Sequence, residues 1–408
     1  MRRFQTYSAM AVIATLFLLL FYSNLHLDTT NAVQSGDRAA TTPVKQKSIP
    51  STTPVHYNIT ISKELRELIP QNGAYWNRLL HAFIKKSDKD TDFFRNRYKW
   101  SGCADSQGSL RLNIHDFNSY SAILQSFLQH MNCKSPPILI DQPEMCVSAG
   151  NGQNLLLFAI KSTPGNFKER QAVRETWGKN KTYGNGPAVR TVFLLGSASP
   201  DDPDLSALLS VEAEHFRDIL QWDFYDSFLN LSLKMDSLLH WTLKNCPQVS
   251  FVFSGDDDVF VNTPALISYV KSLEASKASE LYVGHVISQA SPLRDPRSKY
   301  YIPLSFYDGP YPAYAGGGGF LFSGALLHPL YLVSHVIPFF PIDDVYFAMC
   351  AKALGVSAEA HSRFQTFDIK EQDRENVCIH KDYLLIHRRT PQQIIRLWKG
   401  INNPLLTC

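Results

Sequence analysis

Phe251-Val252-Phe253-Ser254-Gly255-Asp256-Asp257-Asp258-Val259-Phe260-Val261 is the stretch that decides the fold of this chain. The apolar run before the acids predicts a short buried strand. The aspartates then stand at its carboxyl end, which is where open α/β sheets bind ligands. Three adjacent carboxylates repel one another, and burying them costs several kcal/mol per ion unless something offsets the charge. A divalent cation carrying a pyrophosphate would do so. Hard cations such as Mg²⁺ or Mn²⁺ favour carboxylate oxygens and keep positions open for phosphates. A solvated acidic turn is the plain alternative, but an aspartate run between two apolar strands is unusual for one.

Outward from this stretch the pattern is regular. Leu155 to Ile160 reads as a buried strand, and Lys168 to Trp177 has helical spacing up to Gly178. Val189 to Leu195 is a second strand, ended by Gly196. Helices are expected at Leu205 to Phe216, Leu229 to Lys244, Ala325 to His335, Asp344 to Leu354 and Pro391 to Lys399. Leu281 to Val283, Gly319 to Phe322 and Leu384 to Ile386 are strand-like. Short apolar strands alternating with helices predict an α/β fold with a mainly parallel central sheet over residues 151–408. No internal repeat interrupts it.

Further groups could carry chemistry. Asp343-Asp344 opens a helix, where the dipole favours negative charge. Asp343 therefore reads equally as an N-cap acid, with Asp344 in the first turn, or the pair reads as holding a general base. Ala315-Gly316-Gly317-Gly318-Gly319-Phe320 lets the backbone approach a ligand closely, and no Gly-Lys-Ser/Thr follows to make it a P-loop. Entering a buried strand, this run suits a binding wall better than a linker. Lys161, Lys168, Arg170 and Arg174 are basic. Arg170 and Arg174 share a helix face at i and i+4, which serves a nucleotide or a solvated surface equally. His387, at a strand end, is a candidate metal ligand.

The chain has 408 residues, 44% of them hydrophobic and 19% charged, enough for a sizeable core. Its net charge of +3 implies no nucleic-acid partner. Arg2 and Arg3 precede an uncharged, largely apolar stretch. This predicts a cytoplasmic tail (1–8) and a transmembrane signal anchor (9–27) with the remainder lumenal. A cleaved signal peptide would need a small-x-small site, and Tyr22 to Leu27 is a poor match. Residues 28–56 are rich in Thr, Ser and Pro and read as a flexible stem. Residues 57–150 are mixed and form an accessory region, with a helix near Tyr120 to Met131. The seven cysteines contain no CxxC pair, so disulfides are expected rather than zinc, with at least one thiol left over or paired between chains. Asn58, Asn180 and Asn230 each begin an N-x-S/T sequon.

In order along the chain, Arg170-Gln171-Ala172-Val173-Arg174-Glu175-Thr176-Trp177-Gly178, the Asp256–Asp258 cluster, Tyr314 to Phe320, and Asp343-Asp344-Val345-Tyr346 resemble the β-1,3-glycosyltransferase family, whose fold is GT-A. The likeness spans about residues 150 to 400. The unbroken glycine run, Pro341-Ile342-Asp343-Asp344-Val345-Tyr346, Tyr300-Tyr301-Ile302-Pro303 and the ending at Cys408 are most similar to the polylactosamine-type β-1,3-N-acetylglucosaminyltransferases. Galactosyl relatives usually break the glycine run and carry Glu-Asp before Val-Tyr.

The resemblance implies an inverting transfer of N-acetylglucosamine from UDP-GlcNAc to O3 of a terminal galactose, extending lactosamine-type glycans on glycoproteins or glycolipids. It implies a single-pass type II protein of the Golgi membrane, using Mn²⁺ or else Mg²⁺; an oligomer is among the expectations. By the same resemblance, Asp258 and His387 would hold the metal, and Asp256 and Asp257 would face the uridine, ribose or sugar. Lys161, Arg170 and Arg174 would line the uridine side. Asp344 would be the general base and Asp343 would help hold the acceptor, while Gly316, Gly317, Gly318 and Gly319 would wall the donor–acceptor region. Ser254, where close relatives often have Lys, and Phe347-Ala348 depart from the family pattern. The rival readings are a β-1,3-galactosyltransferase, an inactive Golgi chaperone or scaffold on the same fold, and a secreted carbohydrate-binding protein.

Overall fold

A computed structural model describes residues 59–89, 107–147, 154–183, 186–199 and 201–408. The expected tail, anchor and stem lie outside the described residues, as do Asn58 and Cys103. Among the described residues no helix is long and apolar enough to cross a membrane.

Leu155–Lys161 forms β2 and is buried along its whole length. Its side chains alternate between two cores: Leu155, Leu157 and Ala159 join one hydrophobic cluster, and Leu156, Phe158 and Ile160 join another. That is the condition of a strand covered on both faces, and it explains a continuous apolar run. The sheet runs β1-β5-β4-β2-β6-β9-β8-β10, with β3 pairing β4 off this path. The strands are β1 (Ile138–Ile140), β3 (Lys181–Thr182), β4 (Ala188–Ser197), β5 (Ile219–Tyr225), β6 (Val249–Asp256), β8 (Tyr282–Ile287), β9 (Tyr314–Ser323) and β10 (Glu359–Ala360). Strands β5, β4, β2 and β6 are mutually parallel. β9 lies antiparallel between β6 and β8. A smaller sheet, β11-β12-β7, is built from Phe364–Gln365, Leu385–His387 and Val259–Val261.

Helices cover both faces. Among the described residues they are α1 (Lys63–Leu68), α2 (Tyr75–Ser87), α3 (Gln107–Asn113), α4 (Ala122–His130), α5 (Phe167–Glu175), α6 (Pro203–Phe216), α7 (Leu231–Asn245), α8 (Thr263–Lys271), α9 (Ala275–Ser279), α10 (Leu327–Ser334), α11 (Asp343–Ala353), α12 (Val377–Asp382) and α13 (Pro391–Ile401). The expected α/β architecture is present. Among the described residues the apolar-run criterion passes over β5, whose pattern Gln221 and Asp223 interrupt, and the two- or three-residue strands β1, β3, β10 and β11, which are too short to show a period.

The segment before residue 150 packs into the same core as the sheet, and Tyr57–Cys408 forms one compact unit. Trp76 is fully buried against Tyr307 and Phe340, with its Nε1–H donating to the Phe339 carbonyl. Lys134 is buried on an ion pair with Asp236 (3.2 Å). β1 adds an antiparallel edge to β5. Disulfides join Cys146 to Cys246 and Cys378 to Cys408. Cys350 is a buried free thiol.

Candidate active site

β6 ends at Asp256, and a turn at Asp257-Asp258 leads into β7. Register brings the partners in. Lys161, the last residue of β2, pairs with Asp256. His387, the last residue of β12, pairs with Val259. His387 Nε2 lies 3.3 Å from Asp258 Oδ1, and Asp258 Oδ2 accepts from Arg388 Nε at 3.1 Å. Asp257 is buried and accepts from Asn166 Nδ2 at 3.0 Å. Burial pushes its carboxyl up to about 6, helped by Asp256 and Asp258, while the Ser162 hydroxyl and Asn166 pull the other way.

Asp256, Asp258 and His387 bring ligand atoms within 4.8 Å of one another. A hydrogen on His387 Nδ1 would be donated to the Thr366 carbonyl at 2.7 Å. Nε2 would then present a lone pair to the lone pairs of Asp258 Oδ1. Two acceptors facing each other need a proton or a cation between them. Burial alone would lower the imidazole pKa, but Asp258 reverses this and raises it. Two carboxylates and one imidazole oriented by a carbonyl therefore fit a divalent cation. Asp256 joins the expected pair, Asp258 and His387, as a candidate ligand.

A second carboxylate centre lies at the start of α11. Ile342 occupies the N-cap position, so Asp343 and Asp344 are both first-turn acids, one position later than an Asp343 cap would place them. Asp344 Oδ2 accepts from the Gly317 N–H (2.9 Å) and Oδ1 from the Val345 N–H (2.8 Å). Burial pushes the Asp344 carboxyl up to about 7, and the charge of Asp343 adds to this, against the pull of Lys161 and the two amides.

Lys161 joins the two centres. Its buried ammonium lies 3.0 Å from Asp256 Oδ1, 2.9 Å from Asp343 Oδ2 and 3.0 Å from the Gly317 carbonyl oxygen. Burial opposes this charge, but the two aspartates outweigh it and hold the lysine protonated. Its ammonium hydrogens are directed to protein oxygens, which makes it a bridge within the site.

The glycine run forms part of β9 rather than a loop. It spans an irregularity in the β8–β9 pairing, where Gly284 pairs with Phe320 and Val286 with Ala315. A Cβ at Gly317 would lie 3.3 Å from Asp344 Oδ2, and one at Gly318 would lie 3.3 Å from His387 Nδ1. At Gly316 it would come within 2.5 Å of Thr366, and at Gly319 within 2.4 Å of Leu385. The bare strand lets the histidine and the base approach from its two sides.

Arg170 and Arg174 are not brought to the acid cluster. Arg170 is fully buried on Glu212, donating from Nε and Nη2 to its two oxygens (2.9 and 2.6 Å). It also donates to the Thr163 and Pro164 carbonyls and the Ser162 hydroxyl. Arg174 pairs with Asp218 and Glu212. Their shared helix face looks into the fold, and their charge is matched there. Arg170 braces the loop 162–166, which carries Asn166 to Asp257. Asn180 is exposed, with Oδ1 accepting from the Thr191 N–H (2.8 Å). Asn230 is half-buried and donates to the Tyr225 carbonyl (2.9 Å). Ser162, Asn166, Thr366 and Arg388 are site residues that sequence reasoning missed. Arg388, following His387, and Ser162, following Lys161, had a positional signal.

Residues 168–362 match the protein-family model described as Galactosyltransferase. Over 297 residues the chain is 46% identical to N-acetyllactosaminide beta-1,3-N-acetylglucosaminyltransferase 2 of Mus musculus, covering 72% of this chain and 74% of that one. With the protein of the same name from Homo sapiens it shares 42% over 346 residues, 82% of this chain and 86% of the other. With UDP-GlcNAc:betaGal beta-1,3-N-acetylglucosaminyltransferase 8 of Homo sapiens it shares 37% over 376 residues, 90% and 91% of the two chains. With an α/β sheet, two carboxylate centres at its carboxyl end and relatives matched over most of their length, this chain belongs to the β-1,3-glycosyltransferase family and is a glycosyltransferase.

Proposed function

We propose that the chain transfers N-acetylglucosamine from UDP-GlcNAc to O3 of a terminal galactose on lactosamine-type glycans, with inversion. The observation that carries this reading is the pair of centres joined by Lys161: an Asp-Asp-His group on one side and the near-neutral Asp344 on the other. The names of the relatives support the choice of donor and acceptor.

In the proposed reaction Asp344 takes the proton from the galactose O3 hydroxyl as that oxygen attacks C1 of the donor sugar. The new O3–C1 bond forms as the bond from C1 to the diphosphate oxygen breaks, and the electron pair leaves with UDP. A base titrating near the working pH suits such a transfer. The Gly317 and Val345 amides hold the carboxylate in place. Asp343, fixed through Oδ2 by Lys161, helps hold the acceptor with its other oxygen. Asp256, Asp258 and His387 would hold Mn²⁺, or Mg²⁺, which when bound offsets charge on the diphosphate. Asp257 and Asn166 face the nucleotide. Lys161 and Arg170 support that side by fixing the strand end and the loop, and Arg174 by holding Glu212 beside Arg170, rather than by contacting uridine.

The wider arrangement belongs to the same proposal: an anchor over 9–27, a stem over 28–56, and a Golgi lumenal part bearing sugars at Asn58, Asn180 and Asn230. The test is a donor-by-acceptor activity screen of the purified lumenal part with and without Mn²⁺. The expected result is metal-dependent turnover of UDP-GlcNAc on galactose-terminated acceptors. Turnover of UDP-galactose without turnover of UDP-GlcNAc would favour a β-1,3-galactosyltransferase instead. Binding without turnover of either donor would favour an inactive scaffold.

A further inference from the structure

Two adjacent arginines follow His387 and meet opposite fates. Arg389 is buried, donating to Asp368 Oδ1 at 2.7 Å and to His380 Nε2 at 3.1 Å, and so ties α12 to the strand end. Arg388 has a side chain 78% exposed, and among the described residues its one ion pair is that of Nε with Asp258 Oδ2. That contact places a largely exposed guanidinium on the rim of the acid cluster.

The charge around it is one-sided. Asp256, Asp257, Asp258, Asp343 and Asp344 gather at the strand ends, and the buried cation Lys161 is already shared between Asp256 and Asp343. A nucleoside diphosphate would bring further negative charge to this place, more than a divalent cation neutralises along with the aspartates. A guanidinium fork matches phosphate oxygens bidentately and stays charged at any working pH.

From this geometry we infer that Arg388 is a donor-binding residue, clamping the diphosphate of the nucleotide from the rim of the cluster while its Nε stays on Asp258. The inference rests on the nucleotide-sugar reading above. It assigns to the chain a second source of positive charge at the leaving group, supplied by the protein itself. A competing role is that Arg388 only orients Asp258 for the metal.

The two roles separate by calorimetric titration of UDP and UMP at saturating Mn²⁺, with Mn²⁺ binding followed separately by its spin-resonance signal. Arg388→Gln is expected to weaken UDP binding by about tenfold or more, as loss of a charge-assisted contact does. UMP binding should change by less than about threefold, and Mn²⁺ affinity by less than about twofold, since neither depends on the second phosphate. Arg388→Lys should recover only part of the loss, because the charge returns without the fork. Unchanged UDP affinity would overturn the proposal. So would a fall in Mn²⁺ affinity by the same factor as UDP, which would make Arg388 a positioning residue for Asp258. Failure of the unaltered protein to bind UDP at all would instead sink the donor reading on which the proposal stands.

Discussion

Asp344 owes its basicity to burial and to Asp343 beside it. Asp344→Asn keeps the shape and removes the proton acceptor. Loss of a general base costs about 10²–10⁴ in rate, so kcat should fall in that range while UDP binding changes little. A variant within a few-fold of the unaltered rate would remove Asp344 from this role. The carboxylate is the active form, so acid switches it off. With the carboxyl at about 7, kcat/KM should be flat above that value and drop about tenfold per pH unit below it. A profile flat down to pH 5 would contradict the assignment. On the metal side, Asp258→Ala and His387→Ala should each weaken Mn²⁺-dependent UDP binding, measured by calorimetry with and without the ion. Unchanged metal dependence in either would exclude that residue as a ligand. The residue types of this site were legible from charge and position. The partners of Arg170 were not, because Glu212 is 42 residues away and only the folded sheet brings the two helices' side chains together.

β9 shows what an element decides that composition does not. A glycine run reads equally as a loop or a strand edge, and here it lies inside a sheet with side chains pressing on both sides. Gly318→Ala would put a methyl 3.2 Å from His387 Cγ. It should reduce Mn²⁺-dependent activity several-fold while the melting temperature moves less than for a core substitution, since the imidazole can give way by a few tenths of an ångström. Gly324 is a sharper case. Its Cβ would fall 1.9 Å from the Val249 carbonyl oxygen, where only backbone movement makes room. Gly324→Ala should cost about 4 kcal/mol or more in chemical unfolding, in the exceptional range for one substitution. Most of the strands and helices were readable because each carries its own periodicity. The α11 cap falls one residue before Asp343, which local propensity favours, and the carboxylates are held by tertiary partners instead, Asp343 by Lys161 and Asp344 by the Gly317 N–H.

At the scale of the whole molecule, the N-terminal region and the catalytic part share one core, locked by Cys146–Cys246 across a sequence separation of 100 residues. Closing a loop of that length constrains the unfolded chain. Replacing both cysteines by alanine should therefore lower stability by about 2–5 kcal/mol, read from the urea midpoint. The buried Lys134–Asp236 pair ties the same region to α7, with the ammonium also bonded to Ser334 of α10 and Tyr346 of α11. Lys134→Met would leave the Asp236 charge buried with the Ser334 hydroxyl but without its ammonium partner, a loss expected at about 3–5 kcal/mol.

The amino-acid sequence by itself determined the alternation of strands and helices, the acidic strand end, and the order of motifs that marks the family. These are local properties, carried by hydrophobic period and charge within a few residues. Only the tertiary structure decided which acids work together. Lys161 bridges two centres, His387 meets Asp258 through the pairing of β12 with β7, and Arg170 turns away to Glu212. Ion pairs and pKa shifts depend on distance and burial, and neither is set until the sheet has closed around them.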